Sequence, residues 1–260
     1  MRGLKASLAG LLLLLAPQVH AVDLAAHVAQ YKLSLESSKG DVASGSGTMT
    51  YEVIDACDGW AVRQRLAMVL TNRDGQAIHS VSDYTTFETK DGLSMRFRSH
   101  QLNDGTPPDD VAGEATLTAL GGAGKVVYTL PKADTKTLPA GTLFPSTHTI
   151  RIITAAEAGR KFLSLPLFDG TSAAGGQSSS VVMGGWDKAP LPTTFAPLAK
   201  QPSGRVHIAF FDGDSDGTQP DYEVSMRYFA NGVADEMSMD FGDFVMSAKI
   251  EKLTVHKPGC

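Results

Sequence analysis

The chain has 260 residues, 42% of them hydrophobic and 20% charged, with 23 basic against 28 acidic side chains. That length supports a well-filled core, as one large β domain or two small ones. A net charge of −5 without a Lys/Arg cluster argues against nucleic acid and against anionic membrane surfaces as partners.

The N-terminus carries Arg2 and Lys5, then a small and apolar run from Ala6 to Ala16 with five consecutive leucines. Pro17 breaks the run, and Val19-His20-Ala21 offers an A-x-A-like cleavage site. A basic start, a short apolar stretch and small residues predict a signal peptide over residues 1–21. The run is shorter than the ~20 residues a membrane helix needs, and no later segment is apolar enough. Cleavage after Ala21 leaves Val22 to Cys260, 239 residues with a net charge of −7. No cysteine stands near that site, so the expected product is soluble, unanchored and not membrane-spanning. One domain over 22–260 is expected, because no repeat or linker divides it.

From there the pattern has period two. Tyr31, Leu33 and Leu35 alternate with polar residues, as do Met49, Tyr51 and Val53. Trp60, Val62, Leu66, Met68 and Leu70 share one face, with Arg63 and Arg65 on the other. Leu93, Met95 and Phe97 continue the pattern. After a long break it resumes with Val206, Ile208 and Phe210, then Tyr222, Val224, Met226 and Tyr228. Met237, Met239 and Phe241, then Phe244, Met246, Ala248 and Ile250, complete it. Strands with one wet and one apolar face belong to antiparallel sheets. Asn72-Arg73-Asp74-Gly75, Lys90-Asp91-Gly92, Gly121-Gly122-Ala123-Gly124 and Ala230-Asn231-Gly232 supply the turns. The fold class is therefore all-β, a single curled antiparallel sheet or open barrel.

One segment departs from this period. Thr147 to Ala158 has helical spacing, with Thr147 as the expected N-cap and Gly159 as the expected C-cap. One short helix is thus expected to plug or cover the curl. Asp169 to Gly204 reads as long loops around one or two short strands near Val181 to Trp186.

Few residues suggest chemistry. Asp212, Asp214, Asp216, Gly217 and Glu223 fit the D-x-D-x-D-G-x5-E spacing of a calcium loop. The motif expects flanking helices, whereas strand patterns flank it here, so an acidic turn is the simpler reading and no metal or cofactor is expected. None of the histidines forms the i, i+4 pair of a zinc site. His148 in the first helical turn and His207 on a polar strand face are the residues an exported hydrolase would use. No G-x-S-x-G elbow, C-x-x-C pair or Walker spacing is present. The methionines of the last quarter read as core, or as the lining of a deformable apolar site. The only two cysteines, Cys57 and Cys260, are expected to form one disulfide in an oxidising compartment. It would close a loop of about 200 residues and pin the final strands beside the beginning of the sheet, a clasp that holds the curl.

Several short motifs bear a resemblance. Cys57-Asp58-Gly59-Trp60, Phe144-Pro145-x-x-His148-Thr149, Phe168-Asp169-Gly170-Thr171, Asn231-Gly232-Val233, Asp240-Phe241-Gly242-Asp243-Phe244 and a C-terminal cysteine occur in that order. Together they resemble the cell envelope integrity EipB family of α-proteobacterial exported proteins. The resemblance implies a periplasmic β-spiral of about fourteen strands, a disulfide carried here by Cys57 and Cys260, and no catalytic centre. It further implies a role in the envelope barrier. The expected partner is an apolar ligand (a lipid or a lipoprotein acyl chain) or another periplasmic protein, met through the curled sheet. A calcium-stabilised structural protein and a hydrolase using His148 or His207 are the alternatives.

Overall fold

Alternating apolar residues become strands because successive side chains point to opposite faces, so one row can be buried while the other stays wet. The structure, a computed structural model, describes residues 22–212, 219–257 and 260. The expected signal peptide lies outside the described residues. The first meander comprises β1 (His27–Ser38), β2 (Val42–Asp55), β3 (Gly59–Asn72), β4 (Ala77–Thr89), β5 (Ser94–Asn103), β6 (Asp109–Leu117), β7 (Gly124–Leu130) and β8 (Asp134–Leu138). Helix α1 (Pro145–Glu157) follows. The second meander comprises β9 (Phe162–Leu167), β10 (Gln177–Asp187), β11 (Ser203–Asp212), β12 (Tyr222–Phe229), β13 (Ala234–Asp240) and β14 (Phe244–Val255).

All fourteen strands form one antiparallel sheet that does not close on itself. The first strand pairs with the last, from His27↔Val255 to Ser38↔Phe244. That pairing places β1 and β14 in the middle of the sheet and leaves β8 and β9 as its edges. The edges are consecutive in the chain, so the segment carrying α1 joins them. Leu143 bridges Leu167 in parallel, its N–H donating to the Pro166 carbonyl at 3.0 Å. Lys136 Nζ donates to the Ala174 carbonyl at 3.0 Å. These contacts occupy part of the seam, where unpaired strand groups would otherwise invite another chain.

The inward faces make two main cores. One gathers residues of β1–β3 and β10–β14 around Ile152, Ala155 and Ala156 of α1. Seven of the nine methionines lie in it, none more than 8% exposed. The methionines are therefore packing, and the helix fills the curl as expected. The second core gathers β5–β8 around Phe144 and Phe168.

The helix starts two residues earlier than its spacing predicts, and Thr147 is not its cap. Phe144 is the N-cap residue, without a side-chain bond, and Pro145 opens the first turn. The cap comes from another element. Glu88 of β4, 1% exposed, accepts the N–H of Ser146 at 2.7 Å and of Thr147 at 2.9 Å, and also the Thr147 hydroxyl. A carboxylate there answers the unpaired amides and the positive end of the helix dipole. Burial pushes the Glu88 carboxyl up, and these donors pull it partly back. At the other end Gly159 follows the C-cap Ala158 at φ 76°, the left-handed conformation a glycine adopts freely.

Cys57 and Cys260 are bonded, with Cα atoms 5.6 Å apart. Cys57 sits in the β2–β3 turn at φ 71°, its N–H on Asp55 Oδ1 at 3.0 Å. Strands β2 and β14 flank β1, so the bond spans the centre of the sheet. The bond pins the final strand beside the start of the chain, at the centre of the sheet; the free edges of the curl are β8 and β9 and lie away from it.

Replacing Glu88 by Gln leaves a buried N–H facing an amide N–H₂, and should cost about 1–3 kcal/mol by urea unfolding at neutral pH. Because the folded carboxyl holds its proton more tightly than the unfolded one, wild-type stability should also fall as pH rises through the raised value; that component should vanish in Glu88→Gln. Cys57→Ser should lower the melting temperature, by at most about 5 kcal/mol of stability on the loop-closure model.

Candidate functional site

The antiparallel order sorts the connections into two ends. One end holds α1, the β2–β3 turn with Cys57, and the β10–β11 connection whose Leu198 is fully buried. It is closed. At the other end the connection from β9 to β10 folds inward over β4–β7. Phe168 packs on Phe97 with ring centroids 5.2 Å apart, and Tyr84 Oη donates to the Asp169 carbonyl at 2.5 Å. Gly170 (φ 74°) lies so near Phe97 that a Cβ would stand 2.5 Å from its ring.

Beyond that lid the second end is a mouth. Phe210 lies near the end of β11, Tyr222 begins β12, and Phe241 and Phe244 bracket the β13–β14 turn. All four are half-buried against the methionine-rich core. Their rings follow one another at 5.8, 5.2 and 5.0 Å. A chain of aromatic faces that keeps partial exposure suits an apolar or cationic contact.

The histidines are placed differently. His148 is 5% exposed, its Nε2 2.8 Å from Ser179 Oγ. That hydroxyl donates to the Leu165 carbonyl at 2.9 Å, so the hydrogen between the two side chains belongs to His148. A base for a serine nucleophile needs the opposite arrangement. Burial lowers His148 to about 4, which keeps it neutral. Neither Ser179 nor Glu88 was readable as a partner of this helix, since each comes from a distant strand.

His207 stands on the outer face in a cleft of about 210 Å³. Its Nδ1 lies 2.9 Å from Ser225 Oγ and its Nε2 2.7 Å from Glu223 Oε2. Carboxylate, imidazole and hydroxyl are in line, but Glu36 and Asp240 line the same cleft. A developing oxyanion would meet negative charge there, and Ser238 of the same cleft already donates to Glu36 Oε2 at 2.8 Å.

Glu223, the last position of the calcium-loop spacing, is thus engaged with His207. The Asp212 N–H donates to Asp221 Oδ2 at 2.7 Å. Asp214 and Asp216 lie outside the described residues, and among the described residues no group of three or more side chains is placed to hold a metal ion.

A family model described as EipB-like matches residues 18–257. The chain belongs to the EipB-like family. Cell envelope integrity protein EipB of Brucella abortus (strain 2308) is 32% identical over 248 residues, covering 92% of this chain and 87% of that protein. The crystal structure of a beta-barrel-like protein of a domain of unknown function from Brucella abortus matches with a TM-score of 0.82 at 31% identity. It covers 91% of this chain and 100% of that one. The EipB-like motifs occupy structural positions here. Phe144 and Phe168 build the second core, Gly232 turns at φ 85° against Leu24, and Asp240 to Phe244 form the mouth turn. Among the described residues no helix is long and apolar enough to cross a membrane.

His148 gives a pH test. The folded value lies below the ordinary 6.5, so its contribution is complete above that value and is lost as pH falls toward 4. Wild type should lose roughly 2–3 kcal/mol more than His148→Gln between pH 7 and about 4.5, measured by urea unfolding.

Proposed function

We propose that this chain is a non-catalytic periplasmic protein that maintains the integrity of the cell envelope by holding a protein partner at the mouth of its curled sheet. The name of its Brucella relative supports the envelope role. The observation that carries the mode of action is the contrast between interior and rim. Side chains of β1–β3, β10–β14 and α1 occupy the space an acyl chain would enter, while Phe210, Tyr222, Phe241 and Phe244 stay partly exposed at the opening. The protein-partner reading is therefore favoured over a lipid or lipoprotein acyl chain. The proton placement at His148 and the acidic cleft around His207 support the absence of catalysis.

The test is complementation. In cells lacking this protein, a Phe241→Ser/Phe244→Ser variant with wild-type circular dichroism should fail to restore resistance to a membrane-disrupting detergent, and His207→Ala should restore it. The reverse pattern would favour the hydrolase. Stoichiometric lipid recovered from the purified protein by native mass spectrometry would return the acyl-chain reading.

A further inference from the structure

Charge is unevenly divided between the two ends of the sheet. At the mouth, counting each turn with the strand residue on either side, the described residues hold ten aspartates. Only Lys39, Arg73 and Lys132 oppose them. At the closed end, counting α1 and both termini from Val22, six acidic residues face seven basic ones. The net negative charge of the described residues is therefore concentrated on one rim. Turn chemistry explains why these residues are aspartate: Asp74, Asp169 and Asp240 each accept a nearby backbone N–H, as short acidic side chains do in turns. It does not explain the shortage of cations, because the turns of the other end combine aspartates with lysines. Of the three rim cations, Lys39 reaches Asp240 at 3.7 Å and is largely exposed. The outer cleft beside the same rim adds Glu36 and Glu223.

Aspartates of the rim flank the aromatic row along the chain. Asp240 and Asp243 lie in the turn that carries Phe241 and Phe244, and Asp221 precedes Tyr222. From this juxtaposition we infer that the mouth docks a basic amphipathic segment of a partner protein, its apolar side on the rings and its lysines or arginines against the aspartates. Both halves of the surface select the same chemistry, since aromatic faces attract cations as well as apolar groups. A rim of one sign steers an oppositely charged partner and rejects like-charged ones, anionic lipid surfaces among them. The inference rests on the mouth reading above and adds the partner's charge.

The experiment uses the protein with its Cys57–Cys260 bond intact and a synthetic amphipathic helix with leucine and tryptophan on one face and lysine on the other. Fluorescence anisotropy should show binding that weakens at least tenfold from low salt to about 0.3 M. The same peptide with glutamate in place of lysine should not bind. Asp41→Asn/Asp221→Asn/Asp240→Asn/Asp243→Asn keeps the side-chain carbonyls that accept turn hydrogen bonds, and should weaken binding about tenfold with its melting temperature retained. Equal binding of the two peptides, an unchanged affinity in the asparagine variant, or cosedimentation with phosphatidylglycerol vesicles would overturn the inference. If Phe241→Ser/Phe244→Ser fails in complementation while the asparagine variant binds and complements as wild type, the mouth reading stands and only its charge selectivity falls. If both variants complement fully, both readings fall.

Discussion

The antiparallel pairing of β1 with β14 determines the rest of the architecture. It joins residues more than 200 positions apart, from His27↔Val255 onward, and so fixes which strands are interior and which are edges. Because the chain's ends meet mid-sheet, its middle supplies both edges, β8 and β9. The segment between them must cross the seam, and it does so as the helix that plugs the curl. The cap of that helix is then free to come from β4, and the disulfide falls across β1. A sheet with its termini at the edges would need a separate device for each of these tasks.

Alternation made the strands β1–β3, β5 and β11–β14 readable, because their outer faces carry Lys, Arg, Ser, Thr or Glu at nearly every step. It failed where apolar residues sit on the wet face. Val127 in β7 is 41% exposed, and Phe162 in β9 is 53% exposed. Such runs lose the period-two signature although their inner residues, Val126 and Tyr128, are fully or almost fully buried. The helix was found by its spacing, but its start was misplaced. Thr147 has the composition of a local cap, yet a carboxylate 58 residues upstream in sequence performs that task. Local capping rules describe a helix end in water and not one pressed against a strand.

The site was legible in part. Phe210, Tyr222, Phe241 and Phe244 were readable as inward-facing, since alternation reports the face of a strand. Their height along the curl was not readable, and height is what separates a core ring from a rim ring. The histidines show the opposite failure. His148 and His207 stood out by type, but their meaning depends on Ser179, Glu223 and Ser225, partners set by register alone. Even Asp212, conspicuous as the first position of a calcium spacing, gains a different sense once the turns at the same end are seen to share its sign.

The β1–β14 pairing also has a temporal side. A chain is made from its N-terminus, and domains acquire structure as their parts emerge. β1 finds β2 almost at once, but its other edge waits for the last strand of the protein. Until then Ala29, Tyr31 and Leu33, all buried in the finished fold, stand on a strand with one edge unpaired and half their core absent. Neither meander can complete the methionine-rich core alone, so the two halves cannot mature as separate units. A chain truncated before Phe244 would thus expose the edge of its own first strand, a template for pairing with a neighbouring copy, however well its first eight strands had formed.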